Sequence, residues 1–344
     1  MSRVFEALCA HLKTHPEAEV QDAVKFLYQA SFGGGHFLSD PDGAYLYLLK
    51  EAEIANLDAP YTEALGEQYA RINLSALQEL SPKTLFAMFK ASSEDTPTDK
   101  AAFLSLLDEL ENADLFDKAE NAAFLKSYRA AGCPAVHHSE AYRRAYHPAY
   151  RVVKKAYADF LSAFIAIDKL TAEKAPVTVA IDGLCGSGKT TFAALLQSVY
   201  DCNLFHADDF YLPMPMRTPE RYVTPGGNVH WERILSDILE QIPKNESFSY
   251  RAFDCGVMDL GDAVQVTPKT LNILEGSYST HPELIGRYDL KIFLKTSPET
   301  QSARILKRNG PARHKMFVEK WIPLENLYFT SYPVEKQCDL VFTT

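Results

Sequence analysis

Gly183, Gly188, Lys189 and Thr190 lie within Val177–Thr191, which reads Val-Thr-Val-Ala-Ile-Asp-Gly-Leu-Cys-Gly-Ser-Gly-Lys-Thr-Thr. Two glycines in this spacing, followed by a lysine and a hydroxyl residue, are the Walker A pattern of a phosphate loop. Glycines at 183, 186 and 188 permit the backbone angles that turn successive N–H groups inward around a phosphate, and the following helix adds its positive end. Lys189 supplies a point charge for the β and γ phosphates, and Thr190 presents a hydroxyl to Mg²⁺. The expected nucleotide contacts are Gly183, Leu184, Cys185, Gly186, Ser187, Gly188, Lys189, Thr190 and Thr191, with ATP and Mg²⁺ as the implied cofactors. A merely flexible turn is the alternative, and the strand before and amphipathic helix after the glycines argue against it.

Other candidates end short apolar runs. Asp208 and Asp209 follow Asn203-Leu204-Phe205-His206-Ala207, and Glu275 follows Leu271–Leu274. In open α/β sheets ligands sit at the carboxyl ends of the strands, so a carboxylate at either place could reach a metal or an attacking hydroxyl; a helix N-cap is the alternative for the aspartates. Ser297-Pro298 starts a helix on which Arg304, Lys307 and Arg308 recur at three and four residues, before Asn309-Gly310 stops it. Arg304 and Arg308 read as a phosphate clamp, or as an ordinary solvated basic face. Arg217 and Arg221, i and i+4 around Pro219, could grip one anionic group on the acceptor side; equally, their segment could be a loop packing on Trp231. Trp321–Phe329, apolar and aromatic with one central acid, reads as core packing.

These residues need a scaffold. The apolar runs separated by helical segments suit a mostly parallel sheet covered on both faces, a P-loop α/β sandwich over residues 171–344. From Val4 to about Phe164 the periodicity is instead helical, predicting a separate all-α domain over 1–170. Asp40-Pro41 and Ser81-Pro82 read as N-caps with first-turn prolines, and Thr98 as a further cap. A long amphipathic helix is expected after Pro148, carrying Tyr150, Val153, Tyr157, Phe160, Leu161 and Phe164 on one side, and 171–176 reads as a linker. The three glycines of Ser31–His36 read as a helix–helix turn, with a ligand pocket beside His36 as the alternative. His137, His138 and His147, among Tyr142, Tyr146 and Tyr150, read as a packed junction rather than a metal site.

Composition bounds the rest. The 344 residues, 47% hydrophobic and 23% charged, are those of a globular protein long enough for two domains. A net charge of -10 argues against a general nucleic-acid or membrane-surface binder, and no apolar run approaches the length of a bilayer span. The scattered cysteines fit reduced thiols, so a cytoplasmic location and small phosphate-bearing partners are expected.

Ile181-Asp182-Gly183 through Thr191, Asp208-Asp209-Phe210-Tyr211, Glu275-Gly276 and Tyr288–Leu294 occur in the order found in the uridine kinase and phosphoribulokinase family. The chain resembles that family over roughly residues 175–344; residues 1–170 carry no such resemblance. The resemblance implies ATP-dependent phosphorylation of a hydroxyl on a small molecule, a nucleoside or related metabolite. It places the base that accepts the hydroxyl proton on Asp208 and a metal-side acid on Glu275 beside Thr190. The helix of Arg304 and Arg308 becomes a lid whose cations, with Lys189, act on the transferring group. Asp209, Tyr211, Arg217, Arg221 and Tyr250 fall on the acceptor side, with Cys255 standing where the family has histidine. Two other readings remain beside this one. The P-loop half could be an ATP-dependent switch whose helical domain engages a protein partner, or residues 1–170 could be a separate enzyme.

Overall fold

A computed structural model of the chain describes residues 2–38, 40–94, 99–254 and 256–344, with only the backbone of Phe37. It comprises two compact units, Met1–Ile165 and Ala166–Thr344. The sequence-based positions Thr98 and Cys255 lie outside the described residues.

The first unit is mainly helical. Arg3–Thr14 and Val20–Phe32 bury Phe5, Leu8, Val24 and Leu27 against Phe103, Leu107 and Leu125 of later helices. The two proline-marked starts are capped as expected: Asp40 accepts from the Gly43 N–H at 3.1 Å and Ser81 from the Lys83 N–H at 3.2 Å. Asp99 caps the helix Lys100–Asn112.

Alongside the helices this unit holds a three-stranded antiparallel sheet, β1 (Thr62–Ala64), β2 (Tyr69–Asn73) and β3 (Tyr150–Lys154). The single long helix expected after Pro148 is corrected here. Residues 150–154 are a strand paired with β2 from Tyr69↔Lys154 to Asn73↔Tyr150, and helices follow only at Lys155–Asp159 and Leu161–Glu173. Val152 and Val153 are β-branched and both buried, and pairing to a distant strand outweighs a local spacing that also fits a helix. Residues 171–173, read as linker, close the helix Leu161–Glu173, which itself spans the division between the units.

The second unit is built on a five-stranded parallel sheet. Its strands are β4 (Val177–Gly183), β5 (Cys202–His206), β8 (Leu271–Glu275), β9 (Leu290–Lys295) and β10 (Leu340–Thr343), in the order β10-β9-β4-β8-β5. A hairpin of β6 (Phe248–Asp254) and β7 (Asp259–Val266) stands apart from it. Every residue of β4 is buried, as its apolar run predicts for a central parallel strand. Because all five strands run the same way, the residues after Gly183, His206 and Glu275 gather at one edge.

Gly183 is required at the end of β4. Its φ is +141°, and an added Cβ would lie 2.0 Å from the Leu294 carbonyl oxygen on β9. Gly183→Ala is expected to destabilise the protein by about 3 kcal/mol or more in urea unfolding, since both backbone strain and collision must be relieved. Gly286, with open space around it, is the control, and Gly286→Ala should shift stability by no more than about 1 kcal/mol.

Candidate active site

The loop after β4 closes around Lys189. Its ammonium donates to the carbonyls of Gly183 (2.8 Å) and Leu184 (3.0 Å) and to Ser277 Oγ (3.1 Å), which holds it at the mouth of the loop. Gly186 and Gly188 have φ of +74° and +95°, and beyond Gly188 there is open space where a side chain would otherwise stand. The helix Lys189–Gln197 starts directly from this turn.

Next to it, Thr190 Oγ1 donates to Glu275 Oε1 at 3.1 Å, and His206 Nδ1 lies 2.6 Å from the same oxygen. The parallel register sets this meeting, because β8 lies between β4 and β5 and pairs Ile181 with Glu275 and Glu275 with His206. The hydrogen bond to Glu275 raises the His206 pKa, against the opposing effect of burial.

Asp208 follows β5 on a single helical turn, Ala207–Phe210, and lines the same cleft as Lys189, Thr190, Glu275, Tyr211 and Arg308. Its side chain is reached by solvent but crowded by protein. Desolvation raises its pKa, Lys189 opposes, and Glu275 and Asp209 add to the rise.

Two acids beyond the sequence-based candidates organise the loops. Asp182, fully buried inside β4, accepts from the N–H groups of Gly183, Tyr278 and Thr280 and from the Thr280 hydroxyl at 2.6 Å. It thereby ties the start of the phosphate loop to the turn after Glu275. Glu325, 4% exposed, accepts from the Cys185 N–H at 2.9 Å and from Ser277 Oγ at 2.5 Å. The Trp321–Phe329 stretch thus does two things: Tyr328 packs in the core, while Trp321 and Glu325 line the cleft. One acid alone in an apolar stretch was the available signal. Glu325→Ala leaves two polar groups without their acceptor and should cost about 2 kcal/mol in denaturant unfolding; Glu325→Gln, keeping an acceptor oxygen, should recover roughly half.

The remaining candidates separate. Arg308 lines the cleft. Arg304 lies behind the loop, where its Nη1 donates to the Gly186 carbonyl and to Thr344 Oγ1. Their helix breaks at Gly310, with φ +74° and ψ 170°, and resumes beyond Pro311. The joint grip of Arg217 and Arg221 on an anion is not formed. Arg221 makes a bidentate pair with Glu232 at 2.7 and 3.1 Å, while Arg217 donates to the Leu212 carbonyl and lies over the Phe253 ring. Tyr250 donates to Asp209 at 3.3 Å and stacks on Phe210, and neither Tyr250 nor Asp209 lines the cleft. Trp231 stacks on His281 with 5.3 Å between ring centres, and Arg221 lies on a short helix, Pro219–Val223.

No protein-family model matches the chain. Uridine kinases from two strains of Ureaplasma parvum serovar 3 are 26% identical to it over 155 residues, 42% of this chain and 74% of theirs. The region from about residue 175 is similar to uridine kinases. Among solved structures, a possible uridine kinase from Bacillus stearothermophilus matches with TM-score 0.40 at 19% identity, covering 53% of this chain and 99% of its own. A putative fructose transport system kinase from Silicibacter sp. TM1040 matches with TM-score 0.39 at 20% identity, over 52% and 97%. The similarity to uridine kinases supports kinase-type phosphotransfer by a P-loop enzyme that uses a nucleotide and a small-molecule substrate. Among the described residues no helix is long and apolar enough to cross a membrane.

Proposed function

We propose that the second unit transfers the γ-phosphoryl group of ATP to a hydroxyl of a small molecule, a nucleoside or a related metabolite. The observation that carries this reading is the convergence of Lys189, Thr190, Glu275 and Asp208 on one cleft at the carboxyl edge of the sheet. Phosphoryl transfer is mostly positioning and charge stabilisation, and these groups supply cation, metal-side oxygens and base.

The donors fit Mg²⁺. A hydroxyl and a carboxylate oxygen 3.1 Å apart suit a hard cation that takes few protein ligands and completes its shell from phosphate and water. Bound through Thr190 and Glu275, Mg²⁺ would neutralise charge on the β and γ phosphates. The N–H groups of the loop hold the triphosphate, and Lys189 turns its ammonium from the loop carbonyls to the phosphate oxygens. Asp208 accepts the proton from the acceptor hydroxyl, and its raised pKa brings it nearer the working pH of a general base. Arg308 faces the transferring group, while Arg304 steadies the loop through the Gly186 carbonyl.

The test is ADP release from Mg²⁺-ATP by purified protein against nucleosides, pantothenate, sugar phosphates and hydroxy acids. Acceptor-dependent release is expected and names the substrate class. ATP binding with no acceptor stimulating turnover would remove this reading and favour a nucleotide switch with a protein partner.

A further inference from the structure

We propose that Glu325 competes with nucleotide phosphate for the phosphate loop: it is a positioning residue that holds the empty loop in shape and that ATP must displace. This rests on the reading that the second unit binds ATP in the cleft described above.

Three acids line the cleft, Asp208, Glu275 and Glu325, beside two cations, Lys189 and Arg308. Asp208 and Glu275 have roles in the proposed transfer, which leaves Glu325. Its Oε2 accepts from the Cys185 N–H at 2.9 Å and its Oε1 from Ser277 Oγ at 2.5 Å. Cys185 stands between Gly183 and Gly188, in the turn whose N–H groups gather around a phosphate. Ser277 Oγ in turn receives the Lys189 ammonium at 3.1 Å. A carboxylate bonded to a loop N–H, and one hydroxyl away from the lysine that meets the β and γ phosphates, takes the ground of a phosphate oxygen.

Glu325 is 4% exposed, and its partners are neutral: the N–H and the thiol of Cys185 and the Ser277 hydroxyl. These donors satisfy the carboxylate in the empty loop without cancelling its charge. A phosphate brought to the same N–H meets that charge within a few ångströms, at low local dielectric, so the two anions exclude each other. The backbone beneath Glu325 stays in place during the exchange. Tyr328, three residues on in the helix Ile322–Ser331, is fully buried, and its hydroxyl donates to Asp182 at 3.3 Å. The helix is therefore pinned to β4, and only the Glu325 side chain turns aside. Replacing one bound oxyanion by another lets the loop keep one shape, empty or filled, which lowers the cost of ordering it around ATP. The charge itself works against the nucleotide.

The test is calorimetric titration of the full chain with Mg²⁺-ATP and with tripolyphosphate, beside Glu325→Gln and Glu325→Asp, with thermal unfolding of each variant. Glu325→Gln keeps an acceptor for the Cys185 N–H and removes the charge, so both probes should bind about tenfold tighter or more even though the variant is less stable. A residue that only braced the loop would loosen both probes when replaced. Glu325→Asp draws the carboxylate back by one methylene and should tighten both about threefold, which keeps the test valid if Glu325→Gln fails to fold. Affinity for ATP that is unchanged or weaker in the folded variants would overturn the proposal. A parent that binds neither probe would instead remove the ATP reading, and this proposal with it.

Discussion

Replacing Lys189 by alanine is expected to lower acceptor-dependent turnover by about 10³-fold or more, as removal of a charge placed on the transferring phosphoryl group requires. Lys189 is 8% exposed, and three hydrogen bonds aim its ammonium at the loop mouth. A compact ammonium on a flexible stem can turn from these neutral partners to phosphate oxygens as a nucleotide enters. The measurement is steady-state ADP release beside ATP titration and thermal unfolding. A variant that remains folded and keeps turnover within about tenfold of the parent would sink the assigned role. Lys189→Arg should recover little, because a rigid guanidinium fork does not fit among the Gly183 and Leu184 carbonyls.

Asp208→Asn should lower kcat by about 10² to 10⁴-fold while ATP affinity stays near that of the parent. The phosphate loop donates to Asp182 and Glu325 and accepts from Lys189, Gln301, Arg304 and Thr344, none of these bonds involving Asp208, so Asp208 can change without loosening it. The pH profile supplies a second readout. A carboxylate base works only when deprotonated, and its pKa is raised by crowding, so kcat/KM should fall as pH drops through a value above the ordinary carboxylate range. In Asp208→Asn that acid limb should vanish. Joint loss of nucleotide binding and turnover would instead assign Asp208 to metal or loop structure.

Much of the second unit was legible because its signals are local. The phosphate loop needs glycines where φ is positive and a lysine and threonine at fixed offsets, so short spacing alone identifies it. The strands of a buried parallel sheet are apolar throughout, and β4, β8, β9 and β10 correspond to runs visible in the sequence. Glu275 and Asp208, which line the cleft, stand out in the sequence because they end such runs. Glu325 and Asp182 were harder to read. Asp182 stands inside a strand as an ordinary interruption, and Glu325 lies 140 residues from the N–H it binds. Long-range hydrogen bonding leaves no periodicity behind.

By itself, the sequence determined the phosphate loop, the mainly helical character of residues 1–170, the helix caps at Asp40 and Ser81, and the apolar runs that become parallel strands. Each depends on backbone preferences or side-chain period over a few neighbouring residues. Only the tertiary structure decided that Tyr150–Lys154 is a strand, because its partner β2 lies some eighty residues earlier in the chain and pairing there overrides helical spacing. It also decided which arginines face the cleft. Arg308 does, whereas Arg304 turns to the Gly186 carbonyl and Arg221 to Glu232, and that choice depends on partners brought near by folding.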